Sequence, residues 1–328
     1  MSLEIIEIND IRTIKDFKTT TFSNYKKSEV KKQCIKCIYN KNIEEACYWI
    51  SELCCSGYLI DIWEIIITIC SKYIYLANPK LPIYINKRYN TFKEIMENGY
   101  IENELMLRNN IEIRKLFIEL CCTLCLSSKK PILQIIKPNN NLFDIHNLSQ
   151  QMIAPNITYV SEYFRKDDPK ELFISLNELC YLLHEKKETL LIIQWINWIL
   201  DYEKICKKKK IILKGERRTF ANVNEKFQND IVWIIWEIFL DKSKKKQICK
   251  TVVENLLDLF CIKYTENVKR KRKDILFHCV YLIIEHVDYN INIFKDTHLI
   301  KNITNKSHNY IYKEIKNCEL TPNTDYLF

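Results

Sequence analysis

Glycine is almost missing from this chain: Gly57, Gly99 and Gly215 are its three glycines among 328 residues. Dinucleotide-binding folds, phosphate-binding loops and all-β barrels use glycine for tight turns and for close approach of the backbone to phosphate. None of the three glycines lies in such a motif. Apolar residues make up 47% of the chain, which is enough for a hydrophobic core. The composition therefore predicts a helical globular protein.

Apolar side chains recur at helical spacing along most of the chain. We expect an all-α fold, either an irregular helical bundle or a stack of helix pairs, built as two halves. The N-terminal half covers residues 1–127 and the basic C-terminal half covers residues 169–328. Residues 128–168 between them hold three of the seven prolines and predict a linker or excursion. Short strands are expected in it at 133–136 and 157–160.

Residues 42–57 carry the signals of a complete helix. Asn42 suits an N-cap, and Glu45 three residues later suggests a capping box. Gly57 suits the left-handed position that follows a helix. We therefore expect a helix–glycine–helix hairpin whose second helix runs to Leu76 before Asn78-Pro79 stops it.

The fifteen cysteines are expected to be core residues rather than a disulfide framework. Most lie within apolar helical patterns, where a free cysteine behaves as a small hydrophobe, and a reducing compartment is expected. Cys34-x-x-Cys37 and Cys122-x-x-Cys125 have the internal spacing of zinc ligands. Because both pairs lie on apolar helix faces without a turn, core packing is favoured and no metal is expected.

Positive charge is concentrated in residues 201–273, which hold 20 Lys or Arg against 10 Asp or Glu, while the whole chain has a net charge of +9. Two clusters stand out in this segment, and nucleic acid is their candidate partner. The alternatives are a solvated surface, nuclear targeting, or lysine enrichment through an AT-rich genome. The candidate contacts are Lys207, Lys208, Lys209, Lys210, Lys214, Arg217 and Arg218 in the first cluster, and Lys269, Arg270, Lys271, Arg272 and Lys273 in the second.

Tryptophans occur in two pairs at helical spacing, Trp195 with Trp198 and Trp233 with Trp236. Both pairs are embedded in Ile and Leu, so packing into one core is favoured over stacking on nucleic-acid bases. No metalloprotease, hydrolase, kinase or phosphate-loop signature is present in the sequence. We therefore expect no enzymatic activity and no cofactor, and no membrane-spanning segment is expected.

Segment 42–82 resembles the helical collar of clamp-loader-clade ATPases, specifically the bacterial replication-associated recombination ATPases and their eukaryotic Werner-interacting relatives. The match covers about 40 residues, and the ATPase module is outside it. The resemblance implies oligomerising helices and no ATP hydrolysis. The residues that carry it are Glu44-Glu45-Ala46, Tyr48-Trp49, Leu53, Gly57, Ser71 and Leu76-Ala77-Asn78-Pro79.

Most of the chain also resembles uncharacterised helical proteins of large, mimivirus-like nucleocytoplasmic DNA viruses. The segments that carry this resemblance lie at 99–117 and 216–228, and abundant Ile, Asn, Lys and Tyr fit such a genome. The resemblance implies a viral protein that acts in the cytoplasmic viral factory or the nucleus, or that is packaged in the virion.

Together these features predict a non-enzymatic viral scaffold acting in DNA replication, recombination or genome handling. Trp49, Trp63 and Tyr73 are its candidate partner-binding residues, with viral replication or virion proteins as the expected partners. The alternatives are a structural or assembly protein of the virion, and a HEAT-like adaptor in viral transcription or translation.

Overall fold

The computed structural model describes residues 6–130 and 151–321. In these two ranges the regular elements are helical, apart from one isolated antiparallel bridge between Thr20 and Lys26. The expected all-α class is therefore confirmed for the described residues.

The chain divides into two compact units, of which unit 1 contains residues 1–130 and 291–328. A π-helical segment, Ile69–Ile74, extends its third helix, and a 3₁₀ helix, Glu104–Asn109, precedes its fifth. The α-helices described in unit 1 are α1 (Lys27–Tyr39), α2 (Ile43–Cys55), α3 (Leu59–Thr68), α4 (Leu81–Glu97), α5 (Ile111–Leu126) and α12 (Thr297–Lys316).

Helix α2 is at the centre of unit 1, where it contacts α1, α3, α5 and α12. A second part of the core surrounds Trp63 on α3, whose ring has no solvent exposure. Phe92 from α4 and Phe117 from α5 pack against that ring with centroid distances of 5.5 and 5.7 Å. Aromatic side chains therefore join three helices of the unit.

The end of α2 confirms the expected role of Gly57, which adopts φ +75°. The Gly57 N–H donates to the Cys54 carbonyl at 3.0 Å, and the Tyr58 N–H donates to the Leu53 carbonyl at 2.9 Å. These two bonds form a Schellman motif. The expected capping box at the other end is wrong: the Asn42 side chain makes no capping bond, and Glu45 accepts a hydrogen bond from the Cys37 thiol.

The buried side chain of Arg114 connects the first described residues of the chain to the helices of unit 1. Arg114 on α5 donates to the carbonyls of Ile6 at 2.7 Å and of Arg108. Its guanidinium also lies 3.9 Å from the ring centroid of Tyr312 on α12. One cation thus satisfies backbone acceptors from two segments while it stacks on an aromatic face.

Unit 2 contains residues 131–290. A π-helical segment, Leu182–Lys186, extends its first helix, and a 3₁₀ helix, Glu225–Phe227, lies in the loop after its second. The α-helices described in this unit are α6 (Phe173–Tyr181), α7 (Thr189–Lys208), α8 (Val232–Ser243), α9 (Gln247–Cys261), α10 (Val268–Lys271) and α11 (Lys273–Ile284).

Helix α11 is the centre of unit 2, where it contacts α7, α8 and α9. The tryptophan pairs of α7 and α8 are buried in this core, with Trp233 and Trp236 at 0% exposure. The rings of Trp233 and Trp236 both pack against Phe260 of α9. The expected core role of the tryptophan pairs is therefore confirmed.

The boundaries of the units differ from the two halves expected from the sequence. Residues 291–328 belong to unit 1, because α12 packs against α2 and α5. Residues 157–160 form a bend and the start of a turn rather than the expected strand. The nearby backbone is fixed by Glu178, which accepts hydrogen bonds from the N–H groups of Ile153 and Ala154. The strand expected at 133–136 lies outside the described residues.

Candidate nucleic-acid interface

The first basic cluster begins at the C-terminal end of α7, where Lys207, Lys208, Lys209 and Lys210 are all exposed. The lysine run itself ends the helix. Lys210 adopts φ +63°, its N–H donates to the Lys207 carbonyl at 3.1 Å, and the Ile211 N–H donates to the Cys206 carbonyl at 2.9 Å. This is a Schellman motif with lysine in the left-handed position. The negative end of the helix dipole also favours cations here.

The lysines lead directly into an apolar tip. Ile211 and Ile212 are 50% and 71% exposed, although isoleucine is usually a core residue. Lys214, which follows them, is exposed as well. We call Lys207–Lys210, Ile211, Ile212 and Lys214 the lysine surface.

Beyond the lysine surface the chain is fixed by a buried arginine. Arg218 has no exposed side-chain area and makes a two-pronged contact with Asp168, at 2.7 Å for each oxygen. Its Nε donates to Glu237 on α8 at 2.8 Å. The prediction that Arg218 contacts nucleic acid is therefore wrong, because carboxylates within the fold already surround its guanidinium.

The second basic cluster is largely internal. Lys269 is 1% exposed, and its ammonium contacts both Glu203 on α7 and Asp230, with the Asp230 oxygens at 2.7 and 2.8 Å. Arg272 is 2% exposed and donates to the carbonyls of Phe260 at 2.8 Å and Ile262 at 2.6 Å. Both residues were predicted to contact nucleic acid. Both predictions are wrong, because the Lys269 ammonium and the Arg272 guanidinium are buried and hydrogen-bonded inside unit 2.

The other members of the two clusters differ in exposure. Lys271 is exposed, while Arg270 and Lys273 are half-buried. Arg270 lies 3.7 Å from Glu203, and Lys273 donates to the Asn197 side chain at 3.1 Å. Arg217 is exposed but pairs with Glu225 and donates to Gln228. These contacts leave Lys271 as the freest cation of the second cluster.

The two clusters meet around a small group of carboxylates. Lys207 pairs with Glu266 at 2.9 Å, close to the start of α10, and both side chains are about half exposed. The Lys207 ammonium lowers the pKa of Glu266. Glu203 behaves in the opposite way, because burial raises its pKa despite the neighbouring Lys269. Lys207, Lys214 and Glu266 line a cavity of about 160 Å³ together with Lys226, which lies outside both predicted clusters.

The three candidate partner-binding residues lie in different environments. Trp63 is fully buried in unit 1, so the prediction that it forms a partner surface is wrong. Trp49 is half-buried and contacts the ring of Tyr25 at 5.3 Å, and Tyr73 is half-buried against Tyr39 at 5.3 Å. A partner-binding role for Trp49 and Tyr73 stays a prediction.

The two Cys-x-x-Cys pairs come together in the core of unit 1. Burial is the main cause that raises the pKa of the Cys34 and Cys37 thiols, the latter to about 11, and Cys125 lies close enough to raise both further. The sulfur atoms of Cys122 and Cys47 are 3.8 Å apart. Among the described residues no group of His, Cys, Asp or Glu has a geometry that could hold a metal ion.

Comparison with protein-family models, curated proteins and solved structures gives no match. Within the described residues, no helix combines the length and the apolar character needed to cross a membrane. The collar-like and viral resemblances therefore stay predictions, and the function is argued from the lysine surface.

Proposed function

We propose that this chain is a non-enzymatic helical scaffold that acts in viral DNA replication, recombination or genome handling, and that its lysine surface contacts nucleic-acid phosphates. Exposed lysines in a short run contribute to binding by releasing counterions from the phosphate backbone. The collar-like hairpin supports a role with protein partners, in the viral factory or the nucleus.

One observation carries the proposal: the lysine surface keeps its charges available. Lys208, Lys209, Lys210 and Lys214 are exposed, and none has a carboxylate of the described residues within 4 Å. Lys207 has a surface pair with Glu266, which a phosphate can replace at little cost because exposed ion pairs contribute little stability. By contrast Arg218, Lys269 and Arg272 are buried and neutralised or hydrogen-bonded within unit 2.

The exposed isoleucines add a second, apolar component. Ile211 and Ile212 lie between Lys210 and Lys214, so an occupant that contacts the lysines also contacts the isoleucines. Sugar and base surfaces supply such apolar contacts beside the phosphates. This arrangement favours nucleic acid over a simple inorganic anion.

The proposal is tested by fluorescence anisotropy with labelled 20-nucleotide single-stranded and duplex DNA and RNA. The variant Lys208→Gln/Lys209→Gln/Lys210→Gln removes three charges from the lysine surface. The matched control Lys244→Gln/Lys245→Gln/Lys246→Gln removes three exposed charges from the turn between α8 and α9. We expect the first variant to lose most of the affinity and the control to keep it. Equal losses would reduce the effect to net charge and refute a specific surface.

A structural or assembly role in the virion predicts a different outcome. The parent chain would then bind none of the four nucleic acids near physiological salt, and it would be present in stoichiometric amounts in purified particles. That pair of results would replace the proposed function.

A further inference from the structure

Three helices of unit 1 line a cavity of about 560 Å³ that opens to solvent. Its walls come from α4, α5 and α12, and Phe294 contributes from the segment before α12. Small-molecule sites in proteins typically have volumes of about 300–1,000 Å³. The cavity therefore has the size of a binding site for a small organic molecule.

The inner wall of the cavity is apolar. Leu116 and Ile300 are nearly fully buried, and Ile95 and Phe294 are half-buried beside them. The ring of Phe294 is held edge-on against Tyr84, with the centroids 4.8 Å apart. This wall is preformed, and it favours an apolar body in the ligand.

Three cations line the same cavity: Arg88, Lys115 and Lys301. Arg88 donates through one terminal nitrogen to Glu119 at 3.2 Å, and a quarter of its side chain stays exposed. Lys115 is half-buried, and no carboxylate of the described residues lies within ion-pairing distance of it. Lys115 therefore offers the cavity an ammonium without a carboxylate partner among the described residues, which favours an anionic acceptor from outside the chain.

The two carboxylates that line the cavity do not neutralise its three cations. Glu119 already accepts a hydrogen bond from the Tyr84 hydroxyl as well as from Arg88. Glu112 is exposed at the start of α5. The cations therefore exceed the carboxylates, and the excess lies next to the apolar wall.

We propose that this cavity binds a small amphiphile with one carboxylate on an apolar body. The carboxylate accepts from Arg88 and Lys115, while the apolar body covers Leu116, Phe294 and Ile300. Charge-assisted hydrogen bonds give the head group its specificity, and burial of the apolar body adds affinity. This site is independent of the lysine surface, since all its residues belong to unit 1.

The test is isothermal titration calorimetry of the full chain with three probes that share a ten-carbon chain: decanoate, 1-decanol and decyltrimethylammonium, each below its aggregation concentration. We expect one equivalent of decanoate to bind, and the alcohol and the cation to bind at least about tenfold more weakly, since a hydrogen bond to a charged group contributes roughly that factor. Equal affinity for decanoate and decanol would overturn the carboxylate preference.

Two variants place the binding in the cavity. Lys115→Gln should weaken decanoate to about the affinity of decanol, and Thr91→Trp should block both probes by filling the opening. Lys87→Gln, an exposed lysine on α4 outside the cavity, is the matched control and should change nothing. Circular dichroism verifies the fold of each variant. Parent-like decanoate binding by Lys115→Gln would refute the proposal even if Thr91→Trp failed to fold.

Discussion

Arg218 and Asp168 form a two-pronged ion pair at 2.7 Å in which neither side chain has any exposed area. The pair joins two segments separated by 50 residues in sequence and fixes the loop that carries the lysine surface. Burial raises the pKa of Asp168, but the hydrogen bonds from Arg218 and from two backbone N–H groups outweigh it and hold the pKa below its usual value.

Breaking this pair should destabilise unit 2 strongly. Asp168→Asn leaves the Arg218 charge buried without its full partner, so we expect the free energy of unfolding to fall by about 3–5 kcal/mol. The matched control is Glu225→Gln, which removes an exposed partner of Arg217 and should cost less than about 1 kcal/mol. Urea unfolding followed by tryptophan fluorescence measures both. Similar losses of stability in the two variants would contradict the conclusion that the Arg218–Asp168 ion pair stabilises unit 2.

His278 should make unit 2 sensitive to mild acid. Complete burial lowers its pKa to about 3, whereas an unfolded histidine titrates near 6.5. Below pH 6.5 the unfolded chain therefore binds a proton that the folded chain does not. Stability present above pH 6.5 should be lost, by up to about 1.4 kcal/mol per pH unit, as the pH falls toward 3.

The measurement is urea unfolding at pH 5, 6 and 7, a range above most carboxylate titrations. His278→Leu should flatten the dependence, while His184→Gln, a change at an exposed histidine, should leave it intact. A parent-like slope in His278→Leu would show that another group is responsible.

Replacing Trp63 should lower the free energy of unfolding more than replacing Trp49, the other tryptophan of the collar-like segment. Trp63→Ala removes a fully buried ring that three aromatic neighbours contact, so we expect a loss of about 3–5 kcal/mol in the free energy of unfolding. Trp49→Ala removes a half-buried ring and should cost clearly less. Thermal unfolding compares the two, and a larger loss for Trp49 would contradict the described packing.

Cysteine reactivity should report the folded state directly. Fourteen cysteines are buried and Cys318 is exposed. A thiol reagent such as dithionitrobenzoate should therefore modify one equivalent rapidly in the native chain, and Cys318→Ser should abolish that phase. Several fast thiols in the native state would show that the core is open to solvent.

The sequence predicted the helical class, the tryptophan core and the end of α2, because each depends on local pattern. Apolar spacing identifies a helix face, and Gly57 alone supplies the left-handed residue that the turn needs. The return of α12 to unit 1 was missed because its partners, α2 and α5, are remote in sequence.

At the candidate site, too, the sequence did not show contacts between residues that are remote along the chain. Lys207–Lys210 are exposed, since burying a run of unpaired lysines at a helix end would be costly, and their contact with nucleic acid stays a prediction. Arg218 and Lys269 look identical to them in sequence, but their carboxylate partners are remote: Arg218 pairs with residues 19 and 50 positions away, and Lys269 with residues 39 and 66 positions away. Only the fold shows which cations are neutralised.

The salt dependence of DNA binding tests the central claim most directly. Affinity of the parent chain for a duplex is measured from about 50 to 200 mM salt, beside the triple variants at 208–210 and 244–246. Loss of three phosphate contacts should reduce the slope of log K against log salt by roughly 3. We predict that reduction for Lys208→Gln/Lys209→Gln/Lys210→Gln and a parent slope for the control. A parent slope in the first variant would contradict the account.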